Sequence, residues 1–212
     1  MTLVLPDRGE ATRLVLVRHA EPNESVRGRC YGSLDVGLSQ NGRRHAEALG
    51  RALAALRVQA VYTSGLRRAH ETAQSIAEPS GLSARVHLAL RELDFGELEG
   101  RSYDEIATAD PDLYRAWMEN PTTTRFPGGE SYPDLRARVL RALAEIRQRH
   151  ARSVIAVVAR GGVTRVMLAT ALDMRDDEIF RLDQDYGGVS VIDWFADTAV
   201  VRLVNADVTA GK

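Results

Sequence analysis

Apolar residues in this chain recur in two rhythms. Short β-branched or leucine-rich runs read as buried strands at Leu14–Val17, Val58–Tyr62, Arg85–Leu88, Ser153–Val158, Val189–Phe195 and Val200–Val204. Between them the apolar positions fall at helical spacing. One such stretch runs from Ser39, a natural N-cap, to about Leu56. A second covers Leu66 to Ala77 and is closed by Pro79 and Gly81. A third runs from Tyr132 to His150 with Leu135, Val139, Leu143 and Ile146 on one face, and a fourth from Gly161 to Leu172. Strand and helix alternate until a closing antiparallel pair. The order predicts an α/β fold: a three-layer, doubly wound, mostly parallel sheet with helices on both faces and Ser153–Val158 near its centre.

Two regions break the rhythm. Residues 1–12 and 206–212 read as loose termini. Residues 92–133 hold short helices near Tyr103–Ala107 and Asp110–Met118, with turn chemistry at Asn120-Pro121 and Pro127-Gly128-Gly129. An irregular insertion of that length, rich in aromatics, reads as a lid or binding loop.

Composition narrows the picture. A chain of 212 residues, 44% hydrophobic, can bury one sizeable core, so a single domain over 1–212 is expected. A formal charge of −1 with interleaved signs gives no reason to expect nucleic acid or an acidic membrane as partner. Cys30 stands alone, which excludes an internal disulfide and any cysteine-based metal cluster. No apolar run reaches bilayer length and the first dozen residues lack a secretory pattern. A soluble cytoplasmic protein is therefore expected, and the sequence leaves its oligomeric state open.

The chemistry collects just after strands, where open α/β sheets bind ligands. Arg18-His19 ends the first strand. Ser64-Gly65-Leu66-Arg67-Arg68-Ala69 follows the second, Arg91-Glu92-Leu93-Asp94-Phe95-Gly96 follows the third, and Ala159-Arg160-Gly161-Gly162 follows the central one. Together they supply a histidine, several guanidiniums, a carboxyl group and a glycine-rich helix start. Guanidiniums bind phosphate oxygens in a bidentate fork, and a helix N-terminus offers unpaired N–H groups to an anion. Phosphoryl transfer is the natural chemical reading.

These motifs resemble the histidine phosphatase superfamily, the phosphoglycerate-mutase-like fold. Its Arg-His-Gly signature stands here as Arg18-His19-Ala20, and its Ser-x-Leu-x-Arg-Ala segment as Ser64 to Ala69. The spacing Gly28-Arg29 … Gly32 … Asp35 … Leu38-Ser39 … Gly42 also matches. So do Glu92 … Gly96 with Glu99-Gly100, and Pro127-Gly128-Gly129-Glu130-Ser131. The resemblance runs from residue 13 to about 205. It implies His19 as the nucleophile, Arg18 and Arg68 as phosphate clamps, and Glu92 as general acid and then base. It implies Gly161 at the phosphate and Arg29 and Tyr31 against the substrate, with no cofactor and no metal. Ser25 stands where the family often has an asparagine touching phosphate, so that contact is not carried over. Arg67 reads as a solvated charge at a helix start.

Position 160 departs from the pattern, because the family carries a second histidine there and this chain carries Arg160. Arginine keeps the charge and the donors, but it is longer and never gives up its proton. The departure implies that phosphate binding survives while turnover falls. The small size resembles the phosphatase branch rather than the mutases. Gly28 to Gly32, Ser190 to Asp193 and Arg202 to Asn205 resemble α-ribazole phosphatase-like members.

The expected function is thus hydrolysis of small phosphate esters through a phosphohistidine. The alternatives are a disabled phosphate-ester binding protein and a phosphatase acting on a phosphoprotein. Tyr31, Tyr114, Trp117 and Phe126 are candidates for an apolar wall over the leaving group, with core packing as the competing reading of Trp117. His45 and His70 read as solvated, His87 as a strand residue, and His150 as a charge that suits a helix C-terminus. No two histidines have metal-ligand spacing with a carboxylate.

Overall fold

Strand β1 (Thr12–Arg18) explains the three-layer architecture by itself. Its side chains alternate between the two faces of the sheet, and both faces are buried. Leu14 and Leu16 point to one side, where they join Ile155, Val157 and Ile192. Helices α5 (Tyr132–Arg149) and α6 (Gly161–Ala171) cover that side. Val15 and Val17 point to the other, where helices α1 (Gln40–Leu53) and α2 (Arg67–Ala77) pack on Val61, Ala156 and Val158. The structure is a computed structural model that describes residues 3 and 5–209.

The six strands run in the order β3-β2-β4-β1-β5-β6. Strands β2 (Ala60–Thr63), β3 (Arg85–Val86), β4 (Val154–Ala159) and β1 are parallel, whereas β5 (Val189–Trp194) pairs antiparallel with both β1 and β6 (Ala199–Ala206). The mostly parallel sheet is the expected one, and β4 sits within it between β2 and β1. In the β1–β4 register Arg18 faces Ala159, so the two strands end level with each other. His19 and Arg160 therefore leave the sheet side by side.

Several boundaries differ from expectation. Strand β3 stops at Val86, because Leu88–Leu90 wind into a 3-10 turn that buries Leu90. A further 3-10 segment, Asp176–Arg181, lies where no element was expected. The termini are not loose where they are described. Leu3 and Leu5 pack against the α1/α2 side of the core, and Val208 is buried there. Apolar side chains at chain ends dock when a core edge is open to them. Residues 1, 2, 4 and 210–212 lie outside the described residues.

Residues 92–133 build a small core with Cys30. Cys30, Phe95, Leu98, Ile106, Trp117 and Phe126 pack together under helices α3 (Tyr103–Ala109) and α4 (Pro111–Glu119). A Ser102/Glu105 capping box starts α3, and the Asp110 side chain caps α4. Phe126 is 1% exposed and sits edge-on to Phe95 and Trp117, with centroids at 5.0 and 5.1 Å. It belongs to this core and not to a wall over a ligand. Tyr114 packs on the outside of the same cluster. Among the described residues no helix is long and apolar enough to cross a membrane.

One buried ion pair ties β1 to the antiparallel half of the sheet. Asp193 is fully buried and accepts from Arg13 Nε at 2.6 Å, Arg13 NH2 at 2.8 Å and Arg202 Nε at 2.9 Å. Burial works against its charge, but the two guanidiniums prevail and hold its pKa below the ordinary 3.8. A depressed carboxyl pKa stabilises the fold above the unfolded value, and that stability is lost as pH falls through the folded one. Asp193→Ala leaves the buried Arg13 charge without its carboxylate, with only the Pro6 carbonyl to accept from it, and is expected to lower the unfolding free energy by ~3–5 kcal/mol. Urea denaturation at neutral pH checks this. The gap between wild type and variant should narrow below about pH 4.

Candidate functional site

Parallel strand ends converge on one imidazole. His19 is fully buried, and its backbone N–H donates to Ala159 O at 2.9 Å, which locks it to the end of β4. Its Nδ1 lies 2.7 Å from the Ala20 carbonyl. A carbonyl can only accept, so Nδ1 carries the proton and Nε2 carries the lone pair. Nε2 is buried with no hydrogen-bond partner. Burial, then the charge of Arg68, pushes the His19 pKa well below its ordinary value. The Ala20 hydrogen bond opposes that shift, and Arg18 and Arg160 add to it. The ring is thus a neutral base facing cations, which suits attack on an electrophile that brings negative charge with it.

Arg68 is held by backbone. It is 1% exposed and donates to the carbonyls of Leu34 at 2.5 Å, Gly32 at 2.8 Å and Tyr31 at 3.0 Å. Burial, with Arg160 adding to it, lowers its pKa to about 10. The start of α2 is fastened to the same loop, because Asp35 Oδ1 accepts from Arg67 N at 2.6 Å and Val36 O from Arg68 N at 3.0 Å. Gly32 is required here, since a Cβ would overlap the Leu93 carbonyl. Arg67 itself is exposed, as expected.

Arg18 donates to the Gln184 carbonyl and stacks 4.0 Å from the centroid of Tyr186. Arg160 stacks 4.1 Å from the centroid of Tyr31, and its NH1 lies 3.8 Å from Glu92 Oε2. Burial works against the Arg160 charge, yet Glu92 and Tyr31 hold its pKa above the ordinary value. The Nε atoms of Arg18 and Arg160 are buried without partners. Tyr31 and Tyr186 join through their hydroxyls at 2.8 Å.

Glu92 is oriented by two amides. Oε1 accepts from Leu93 N at 2.7 Å and Oε2 from Gly162 N at 2.9 Å. A Cβ at Gly162 would overlap Glu92 Oε1, so the second glycine of the Arg160-Gly161-Gly162 run makes room for this carboxyl group. The segment is secured from behind by Arg138, which donates to the carbonyls of Ala89, Arg91 and Glu92 and pairs with Glu130 at 2.6 Å. Gly161 opens α6, but the neighbouring amide of Gly162 already serves Glu92. The helix start is therefore only partly open to an anion.

Two cavities adjoin the site. A cleft of about 600 Å³ is lined by Arg18, Tyr31, Arg160 and Tyr186 together with Arg27, Arg29 and His45. A second chamber of about 210 Å³ is lined by Arg18, Glu92, Phe95, Trp117, Arg160 and Arg165 among others. Arg29 reaches the cleft but is anchored to Gly100 O at 2.7 Å and lies 3.5 Å from Glu105. Ser25 is exposed. Among the described residues no three His, Cys, Asp or Glu side chains are grouped to hold a metal ion.

Some expectations are corrected. His45 is not solvated: it is half-buried, its Nε2 has no partner, and its ring occupies the space a Cβ at Gly187 would need. His150 has surroundings that work against the positive charge expected at the helix end. Its Nε2 lies 2.8 Å from the Tyr62 hydroxyl, and burial, with Arg85 and Arg149, lowers its pKa. His87 follows β3 rather than lying in it and meets Glu145 at 3.2 Å. Tyr186, Gln184, Arg138 and Arg165 escaped sequence reasoning. Their one local signal is the Gly187-Gly188 turn that brings Gln184 and Tyr186 back over Arg18.

Comparison with known proteins places this geometry in context. The model of the histidine phosphatase superfamily (branch 1) matches residues 14–207. A bifunctional protein of Mycobacterium tuberculosis is 36% identical over 200 residues, covering 93% of this chain and 55% of that protein. The chain thus spans about half the length of this relative. Phosphoserine phosphatase 1 of Hydrogenobacter thermophilus is 33% identical over 200 residues, covering 94% of this chain and 95% of its own. The crystal structure of the α-ribazole phosphatase from Shigella flexneri superposes with a TM-score of 0.85 at 27% identity, covering 92% and 96% of the two chains.

The buried imidazole carries a pH consequence. Its folded pKa is depressed, so below about pH 6.5 the unfolded chain binds the extra proton and folding stability declines. Nitrogen NMR should show His19 remaining the neutral Nδ1–H tautomer as pH is lowered through 6.5. Adding inorganic phosphate should raise its pKa, because an anion offsets the three guanidiniums. A His19 resonance that titrates at the ordinary value, unmoved by phosphate, would contradict the geometry.

Proposed function

The chain belongs to the histidine phosphatase superfamily, and we propose that it hydrolyses small phosphate monoesters through a phosphohistidine on His19. The observation that carries this reading is the free, buried Nε2 lone pair of His19 set among Arg18, Arg68 and Arg160. Nε2 attacks phosphorus while the guanidiniums hold the non-bridging oxygens. The bond from phosphorus to the leaving oxygen breaks as a nitrogen–phosphorus bond forms, and Glu92 delivers a proton to that oxygen. Glu92 then takes a proton from water. The resulting nucleophile displaces His19 from phosphorus, which releases inorganic phosphate and restores the neutral ring. The Nδ1–H bond to Ala20 O steadies the imidazole throughout.

Arg160 shapes the rate. It keeps a positive charge beside the phosphoryl position, but it is also 3.8 Å from the carboxyl that must donate and accept the proton. A transition-state donor displaced in this way costs turnover by about 10²–10³-fold. The same contact supports the second reading, in which the chain binds phosphate esters and releases no phosphate.

One experiment separates them. Phosphate release from p-nitrophenyl phosphate and a panel of metabolite phosphates is measured for the wild type, Arg160→His and His19→Ala. His19→Ala is expected to be inactive, and Arg160→His to be faster than wild type by about 10²–10³-fold. An unchanged rate in Arg160→His sinks the account of Arg160. A silent wild type rescued by Arg160→His establishes the binding reading, and activity surviving in His19→Ala removes the phosphohistidine.

A further inference from the structure

His19 has to meet phosphorus, yet in this structure it is sealed. The residue is fully buried, its Nε2 is buried without a partner, and it lines neither the cleft nor the chamber. A nucleophile must approach its target to about 3–3.5 Å. The site is therefore closed, and part of its cover has to move before a phosphoryl group reaches the ring.

The cover is built from two arginine–tyrosine stacks. Arg18 lies 4.0 Å from the centroid of Tyr186, and Arg160 lies 4.1 Å from that of Tyr31. The Tyr186 ring also lies against His19, with 5.6 Å between centroids and a tilt of 37°. The two stacks are joined by the 2.8 Å hydrogen bond between the tyrosine hydroxyls. All four residues line the cleft, so this clasp stands between the cleft and the imidazole.

Most of the surrounding structure is anchored. Arg68 is held by three carbonyls and Arg18 by the Gln184 carbonyl. The backbone on either side of Tyr186 is fixed too. Gln184 Oε1 accepts from Thr164 Oγ1 at 2.6 Å, and Gly187 N donates to Arg18 O at 3.0 Å. The Tyr186 side chain differs from these. It is 37% exposed, and among the described residues the Tyr31 hydroxyl is its hydrogen-bond partner. Rings at the edge of solvent exchange rotamers quickly, so one hydrogen bond and a stack are what hold this one shut. Burial, and then the bond to Tyr31, raises the Tyr186 pKa to about 12, so the hydroxyl keeps its proton near neutral pH.

We propose that Tyr31 and Tyr186 form a gate over His19, which opens when their hydroxyl bond breaks and the Tyr186 ring swings out toward solvent. The proposal rests on the reading of His19 as the group that receives phosphate. A reagent that meets only the open form reacts in proportion to the fraction of molecules that are open. Diethyl pyrocarbonate acylates neutral imidazole, so its rate at His19, followed by peptide mass spectrometry, reports opening with no phosphate present. Tyr31→Phe and Tyr186→Phe each remove one hydroxyl and keep the ring under its arginine. Each should raise the His19 rate by about 2- to 10-fold, the worth of one hydrogen bond. The double variant should go no further, because both hydroxyls serve the same bond. Exposed His70 should be labelled at one rate in all four proteins. A His19 rate that either single variant leaves unchanged, or factors that multiply in the double variant, overturns the gate. The phosphatase reading fails separately, if saturating inorganic phosphate does not protect wild-type His19 from labelling.

Discussion

A single hydrogen bond sets the reactive character of the site: the one from His19 Nδ1 to the carbonyl of its own neighbour, Ala20. A buried imidazole has two nitrogens, and only one can keep a lone pair aimed at a ligand. Committing Nδ1 to a carbonyl leaves that lone pair on Nε2. Burial and nearby guanidiniums then keep the ring from taking a second proton. Without the bond, tautomer exchange would place the N–H on Nε2 and remove that lone pair. The level ends of β1 and β4, and the amide bond from His19 to Ala159, keep the residue where this bond can form.

Holding cations next to a neutral base is costly where they are withdrawn from water, and the fold offsets that cost with dipoles and aromatic faces. Arg68 is cradled by three carbonyls, Arg18 by the Gln184 carbonyl and the Tyr186 face, and Arg160 by the Tyr31 face and Glu92. These partners come from loops, which explains the glycines that stand so close to other backbone. Gly32 admits the Leu93 carbonyl and Gly162 admits the Glu92 carboxyl. Pre-organised donors of this kind stabilise developing charge without reorganising during reaction.

Arg160 joins the two halves of the site. Its charge bears on His19, its NH1 lies 3.8 Å from Glu92, and it lines both the cleft and the chamber. A side chain in that position links the surroundings of His19 to those of Glu92. Residues 92–133 close the chamber with Phe95 and Trp117 while keeping Phe126 in the small core with Cys30.

The strand-and-helix alternation, the level of Arg18-His19 at a strand end, the Ser39 cap and the set His19, Arg68, Glu92 and Arg160 were all legible in the chain by itself. Each depends on local periodicity or on a motif written in consecutive residues. Other features were decided only by the tertiary structure. The docking of Leu3, Leu5 and Val208, the burial of His45 and the loss of Phe126 from the ligand wall depend on which distant surface each side chain meets. Tyr186, Arg138 and Arg165 reach the site from segments with no chemical signature of their own. Periodicity reports which face of an element is buried. It carries no information about what lies across from that face, and hydrogen bonds and charges act over distances that only the folded chain defines.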